Sequence, residues 1–169
     1  MRIERYQELS KRTMPFKARP ETIVQFNELL NNYSLGLVGE VLELHYLYSY
    51  EGAGSHEDII NEMGDVLHYC VGLLSCMRIN VDPLEIKEGP LKMIYAAGDV
   101  TEHVKKYIYH GHELDHSRVA ANIYGIIHEI KKGMGPAFDI VLDINIQKLK
   151  TRYENGFSSA ASIARKDVQ

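Results

Sequence analysis

Apolar residues recurring at spacings of three and four constrain this chain more than any other feature. Ile59, Met63, Val66, Leu67, Val71 and Leu74 fall on one side of a helix with 3.6 residues per turn. No run of comparable length alternates with the period of two that a half-buried strand requires. The expected class is therefore all-α, a helical bundle. Pro15 and Pro20 separate a first helix over residues 3–12 from a second over 21–32, because proline cannot continue a helical hydrogen-bond ladder. Gly52-Ala53-Gly54-Ser55 divides helices expected over 35–50 and 56–79, with Ser55 as N-cap and Asp58 in the first turn. Asn80-Val81-Asp82-Pro83 reads as a turn. Helices follow over 83–109, with a break at Gly89-Pro90, then over 116–132 and 137–153, and a tail with few anchors runs over 154–169.

A chain of 169 residues fits one domain with a single helical core. A formal net charge of −4 leaves no basic footprint for duplex nucleic acid, so none is expected as a partner. A small anionic substrate would need a cation to approach. No apolar run reaches the roughly 20 residues that cross a bilayer, and Met1-Arg2-Ile3-Glu4-Arg5 lacks the apolar core of a signal peptide. No membrane partner is expected, and the expected location is cytoplasmic. Cys70 and Cys76, six apart in one apolar stretch, match neither a disulfide framework nor a zinc pair and read as core thiols.

An internal repeat reorganises the helix list. Gly39, Val41, Glu43, Tyr50 and Gly52 meet Gly98, Val100, Glu102, Tyr109 and Gly111 at a constant offset of 59, and Glu40 meets Asp99. After a two-residue slip, Asn61 and Gly64 meet Asn122 and Gly125 at an offset of 61. The match suggests a duplicated helical hairpin, over 34–80 and again in degenerate form over 90–133, whose copies pack as a pseudo-dimer.

Two carboxylate pairs carry the chemistry. Glu40 and Glu43 stand three apart, as do Glu62 and Asp65, and that spacing puts each pair on one helix face among apolar neighbours. A glycine precedes or interrupts each pair, Gly39 in one case and Gly64 in the other, and would allow close approach. Four acids between helices repel unless a cation joins them, and a hard divalent cation such as Mg²⁺ takes carboxylate oxygens, waters and phosphates. A lone Glu-x-x-Glu is ordinary helix surface; two pairs on successive helices leave a metal site and a solvated face as even alternatives. No Gly-rich loop ending in Lys and Ser or Thr is present to cradle phosphates. Lys148 and Arg152, four apart, share a helix face that suits either phosphate oxygens or solvent at a helix C-terminus.

Gly39-Glu40-Val41-Leu42-Glu43 followed by Asn61-Glu62-Met63-Gly64-Asp65-Val66 resembles the Glu-x-x-Glu and Glu-x-x-Asp signature of the MazG-like all-α nucleoside triphosphate pyrophosphohydrolases. The run from Tyr6 to Thr13 is similar to the opening helix of that family. Asn145-Ile146-Gln147-Lys148-Leu149-Lys150-Thr151-Arg152-Tyr153 is similar to its closing segment. The resemblance implies Mg²⁺, with Mn²⁺ as a substitute, held by Glu40, Glu43, Glu62 and Asp65. It also implies hydrolysis of a nucleoside triphosphate to the monophosphate and pyrophosphate, with Glu43 or Glu40 orienting the water, and a chain that acts alone or as a homodimer. Asn145, Lys148 and Arg152 are the implied substrate contacts.

One departure from the family stands out. The two lysines and the Gly-His turn expected after the first Glu pair are matched by Lys105, Lys106, Gly111 and His112, in the second copy. That copy has Ile123 and Ile126 where the first has Glu62 and Asp65. Either the first half holds metal while Lys105 and Lys106 face the phosphates, or the second half is packing and those lysines are solvated. Two other readings remain open: a non-catalytic helical nucleotide-binding or regulatory protein, and a di-iron carboxylate bundle using Asp65-x-x-His68 and Glu113-x-x-His116.

Overall fold

The structure is a computed structural model describing residues 1–164, and every regular element among them is helical. In chain order these are α1 (Ile3–Ser10), α2 (Ile23–Ser49), α3 (His56–Cys76), α4 (Met93–His110), α5 (His116–Met134), α6 (Phe138–Arg152) and α7 (Ser159–Ala164), with single tight turns over 11–13, 15–18 and 135–137. The all-helical bundle expected from the periodicity is observed. None of the described helices is long and apolar enough to cross a membrane.

α2 and α3 form an antiparallel hairpin. Ser55 caps α3 reciprocally with Asp58: the Asp58 amide donates to Ser55 Oγ at 3.2 Å and the Ser55 amide donates to the Asp58 carboxylate at 2.7 Å. Glycines set the closeness of the hairpin. A Cβ on Gly36 would lie 2.1 Å from the Tyr69 ring, and one on Gly72 would lie 2.1 Å from the Tyr33 ring. Each aromatic ring of one helix thus lies directly on the backbone of the other. α4 packs antiparallel to α2, with Thr101 Oγ1 donating to the Ser34 carbonyl at 3.0 Å and Phe26 edge-on to Tyr107. α5 returns along α4, while α1 and α6 cover the remaining face of α3.

The buried apolar residues of all these helices except α7 form one core cluster, centred on Leu29, Leu30, Leu37, Leu67, Leu74, Ile123 and Ile127. Cys70 and Cys76 are free and buried within it, as expected. Burial pushes both thiols up, Cys76 to about 12, so neither is a nucleophile near neutral pH.

Three expected boundaries are corrected. The helices expected over 21–32 and 35–50 are one helix of 27 residues, about 40 Å long. Asn32, Tyr33 and Ser34 do not break it, since Tyr33 and Ser34 are buried and Ser34 Oγ bonds back to the Asn31 carbonyl. The helix expected over 83–109 begins only at Met93. The preceding stretch crosses α5 where the Gly89 and Gly125 backbones meet, a Cβ on Gly125 falling 2.7 Å from Gly89 Cα. Last, the tail over 154–169 is anchored: Tyr153 stacks on Phe157 and donates to Ser162 Oγ in α7 at 3.4 Å. Residues 165–169 of that tail lie outside the described residues.

Candidate metal centre

The α2–α3 seam brings Glu40, Glu62 and Asp65 together, with one carboxylate oxygen from each lying within 4.8 Å of the others. Each is partly buried. Oxygens gathered this closely are the kind of donor set a hard cation takes. Glu43, the fourth expected acid, is exposed at the edge of the seam and does not join the trio. It lines an adjoining groove of about 420 Å³ together with Leu42, Tyr46, Leu47, Asp58 and Glu62.

Helix α6 supplies the other side. Asn145 Nδ2 donates to Asp65 Oδ1 at 2.8 Å, and the Lys148 ammonium forms a close ion pair with Asp65 Oδ2. Asn145 is itself held, because its Oδ1 accepts from the Tyr6 hydroxyl at 2.6 Å, a bond made inside the core. Tyr6 is a positioning residue that spacing alone does not reveal. α6 comes this close because Gly64 has no side chain: a Cβ there would lie 2.7 Å from Asn145 Cβ. The expectation for Gly39 is corrected, since a Cβ at that position meets nothing within 4 Å. Gly36, one turn earlier, is the glycine of α2 that permits close approach.

Arg152 lies close enough for its charge to act on His68 and on Tyr69, whose pKa burial raises to about 12 against the pull of that guanidinium. His68 is fully buried and held neutral, its pKa lowered to about 4 by burial. Tyr33 lies 3.5 Å from it. Lys105 and Lys106 pair with Glu102 on their own helix, Lys105 at 2.5 Å, and the ammonium in contact with the acids is that of Lys148.

The acid cluster is electrostatically unfinished. Burial, followed by the charge of Asp65 and the contact with Glu62, raises the Glu40 pKa to about 8. Glu62 is raised as well, chiefly by burial, while its bond to Glu40 pulls the other way. Glu40 therefore holds a proton and donates it to Glu62. Glu62 Oε2 remains buried without a hydrogen-bond partner. Orphaned carboxylate oxygen, a retained proton and three converging acids are what a divalent cation relieves.

A consequence for stability follows. The unfolded chain releases the Glu40 proton near the ordinary carboxylate value of 4.5 while the folded chain keeps it to about 8. The folded state then binds more protons across that window, so metal-free stability is full below 4.5 and falls as pH rises towards 8. Thermal melts with chelator are expected to show a midpoint about 5 °C lower at pH 8.5 than at pH 5.5. Glu40→Gln removes most of that slope, and a slope equal in the two proteins would contradict the assignment.

The described residues thus define an all-helical bundle with three converging carboxylates that could hold a metal ion. Among them the metal-capable group contains no histidine, and Glu113 lies in the loop before α5, so the di-iron arrangement is not formed. Comparisons with protein-family models, curated proteins and solved structures find no match.

Proposed function

We propose that this chain is a Mg²⁺-dependent nucleoside triphosphate pyrophosphohydrolase of the MazG-like kind. The observation that carries the reading is the meeting of Glu40, Glu62 and Asp65 with Lys148 at one seam, beside Arg152. Acids alone repel a triphosphate; acids that gather a divalent cation, with an ammonium and a guanidinium beside them, receive one. Mg²⁺, when bound, neutralises phosphate charge and acidifies a coordinated water. Lys148 turns from Asp65 to the phosphate oxygens, and Arg152 holds the departing pyrophosphate. Asn145, fixed by Tyr6, keeps Asp65 in its rotamer. Glu43, outside the trio, accepts the proton of the water that attacks the α-phosphorus. The bond from that phosphorus to the bridging oxygen breaks, giving a monophosphate and pyrophosphate.

The cations lie on the Asp65 side of the cluster, so the nucleoside lies on the other, in the groove beside Glu62. Tyr46 and Leu42 there are half exposed and offer a face for a planar base. Tyr46→Ala is expected to raise KM about tenfold, the loss of one stacked base, with kcat little changed. Unchanged KM would move the nucleoside elsewhere.

The second hairpin is read as a degenerate copy. Gly39 and its counterpart Gly98 both face open space, whereas Gly64 and Gly125 are both closely packed. Asp99, the counterpart of Glu40, is satisfied without metal: Arg118 grips it at 2.9 and 2.6 Å, and Asn122 donates to it at 2.7 Å. The guanidinium also holds the Asp99 carboxyl below its usual range. One metal centre per chain is expected.

The test is a panel of ribo- and deoxyribonucleoside triphosphates incubated with Mg²⁺ and followed by phosphorus NMR. Monophosphate and pyrophosphate, formed together and abolished by chelator, are the expected products. Nucleoside diphosphate with orthophosphate, or nucleotide binding without turnover, would overturn the reading.

A further inference from the structure

A second cavity lies at the far end of α3, about 15 Å along the helix axis from Asp65 to Ser75. It measures about 400 Å³, and Lys11, Lys17, Arg19 and Arg78 line it against a single acid, Glu8. Glu8 is engaged by Lys11 at 2.6 Å. Lys17, Arg19 and Arg78 form no ion pair among the described residues. On a chain of net charge −4, the cavity thus gathers three exposed cations that no carboxylate among the described residues pairs with.

Backbone strain marks the same place. Phe16, Lys17 and Ala18 run consecutively at φ values of 54°, 49° and 58°, and Arg78 follows at 59°. These four are the non-glycine residues with positive φ among the described residues, and three of them line this cavity. Each costs about 1–2 kcal/mol relative to the right-handed conformation. The loop is held in place by the buried side chains of Met14, before the strained run, and Ala18, at its end. Arg78 ends α3 in a position where glycine is the unstrained choice. Strain that the surroundings enforce is characteristic of sites that present side chains to a ligand.

We propose that this cavity binds the oligophosphate group of a small molecule, two or three linked phosphates, independently of the acid cluster. Three cations from two separate segments match the charge of a diphosphate or triphosphate rather than a single phosphate. Two of them are guanidinium groups able to grip phosphate oxygens in pairs. Ser75 forms part of the wall, its hydroxyl held by accepting from Gln7 Nε2 at 3.0 Å and donating to the Val71 carbonyl at 2.7 Å. The volume falls in the range of small-molecule sites.

Calorimetric titration of the full chain with inorganic pyrophosphate, in excess chelator so that the acid cluster cannot bind phosphate through a metal, tests this directly. Saturable one-to-one binding is expected, at least about tenfold tighter than orthophosphate. Arg19→Ala and Arg78→Gly should each weaken it about tenfold, the loss of a charge-assisted contact. Glu62→Gln should leave it unchanged. Lys17→Gly is the discriminating variant: it should raise the melting temperature by relieving the positive φ while weakening pyrophosphate binding. Absence of binding, equal affinity for orthophosphate, or affinity indifferent to Arg19, Arg78 and Lys17 would overturn the proposal.

Discussion

Glu62→Ala is expected to lower Mg²⁺-dependent pyrophosphate release by more than about a hundredfold, since even partners one step removed from a metal are worth up to that much. Glu62 lies in contact with Glu40, its pKa raised by burial and then by the charges of Asp65 and Glu43. Its removal leaves two acids on different helices, one already paired with Lys148. The fold should persist, because Glu62 is only partly buried, its Oε2 makes no bond, and the bond the mutation removes is the one from Glu40 within the acid cluster. In chelator the variant should melt close to the wild-type temperature, because the lost bond from Glu40 is offset by the lost repulsion from Asp65. Added Mg²⁺ should raise the wild-type midpoint and leave that of the variant where it is. Those two melts separate loss of the metal from loss of the fold. Full activity in the variant would end the pyrophosphohydrolase reading.

The part of this arrangement visible in the sequence is the part written in local spacing. Glu40, Glu62 and Asp65 were identifiable because helical geometry turns intervals of three into shared faces, and the Ser55 cap because its chemistry spans one turn. Contacts that depend on how helices meet were not. The interval Tyr6–Asn145 spans most of the chain, and nothing in either residue announces the other. Gly39 resembled a close-approach glycine because it adjoins Glu40, yet it points away from the hairpin and Gly36 meets Tyr69 instead. Asn32, Tyr33 and Ser34 have modest helix propensity, and burial against α3 and α4 overrides it. The basic cavity was hidden for a further reason. Its cations are scattered from Lys11 to Arg78, and the left-handed turn that gathers them contains no glycine to signal it.

Gly64→Ala should damage stability and activity together, although the added group is a single methyl on a residue that bears no functional atom. The new Cβ would lie 2.7 Å from Asn145 Cβ and 2.9 Å from its Nδ2, and a Cβ cannot swing aside as the end of a long side chain does. α6 must move outward from α3. Overpacking of this kind costs about 1–3 kcal/mol, lowering the melting midpoint by roughly 3–10 °C in a chain of this length. The displacement falls on one hydrogen-bonded line: Tyr6 to Asn145, Asn145 to Asp65, Asp65 to Lys148. Asp65 loses the amide that fixes its rotamer, and Lys148 is carried away from the phosphate site, so kcat/KM should fall about a hundredfold. Asn145→Gly in the Gly64→Ala background tests the geometry, because it removes the clashing Cβ together with the amide while leaving the methyl. Stability should then recover in part and activity should not. Recovery of both would place Asn145 outside the machinery, and a Gly64→Ala protein with unchanged stability would show that α6 does not lie against α3 at this point.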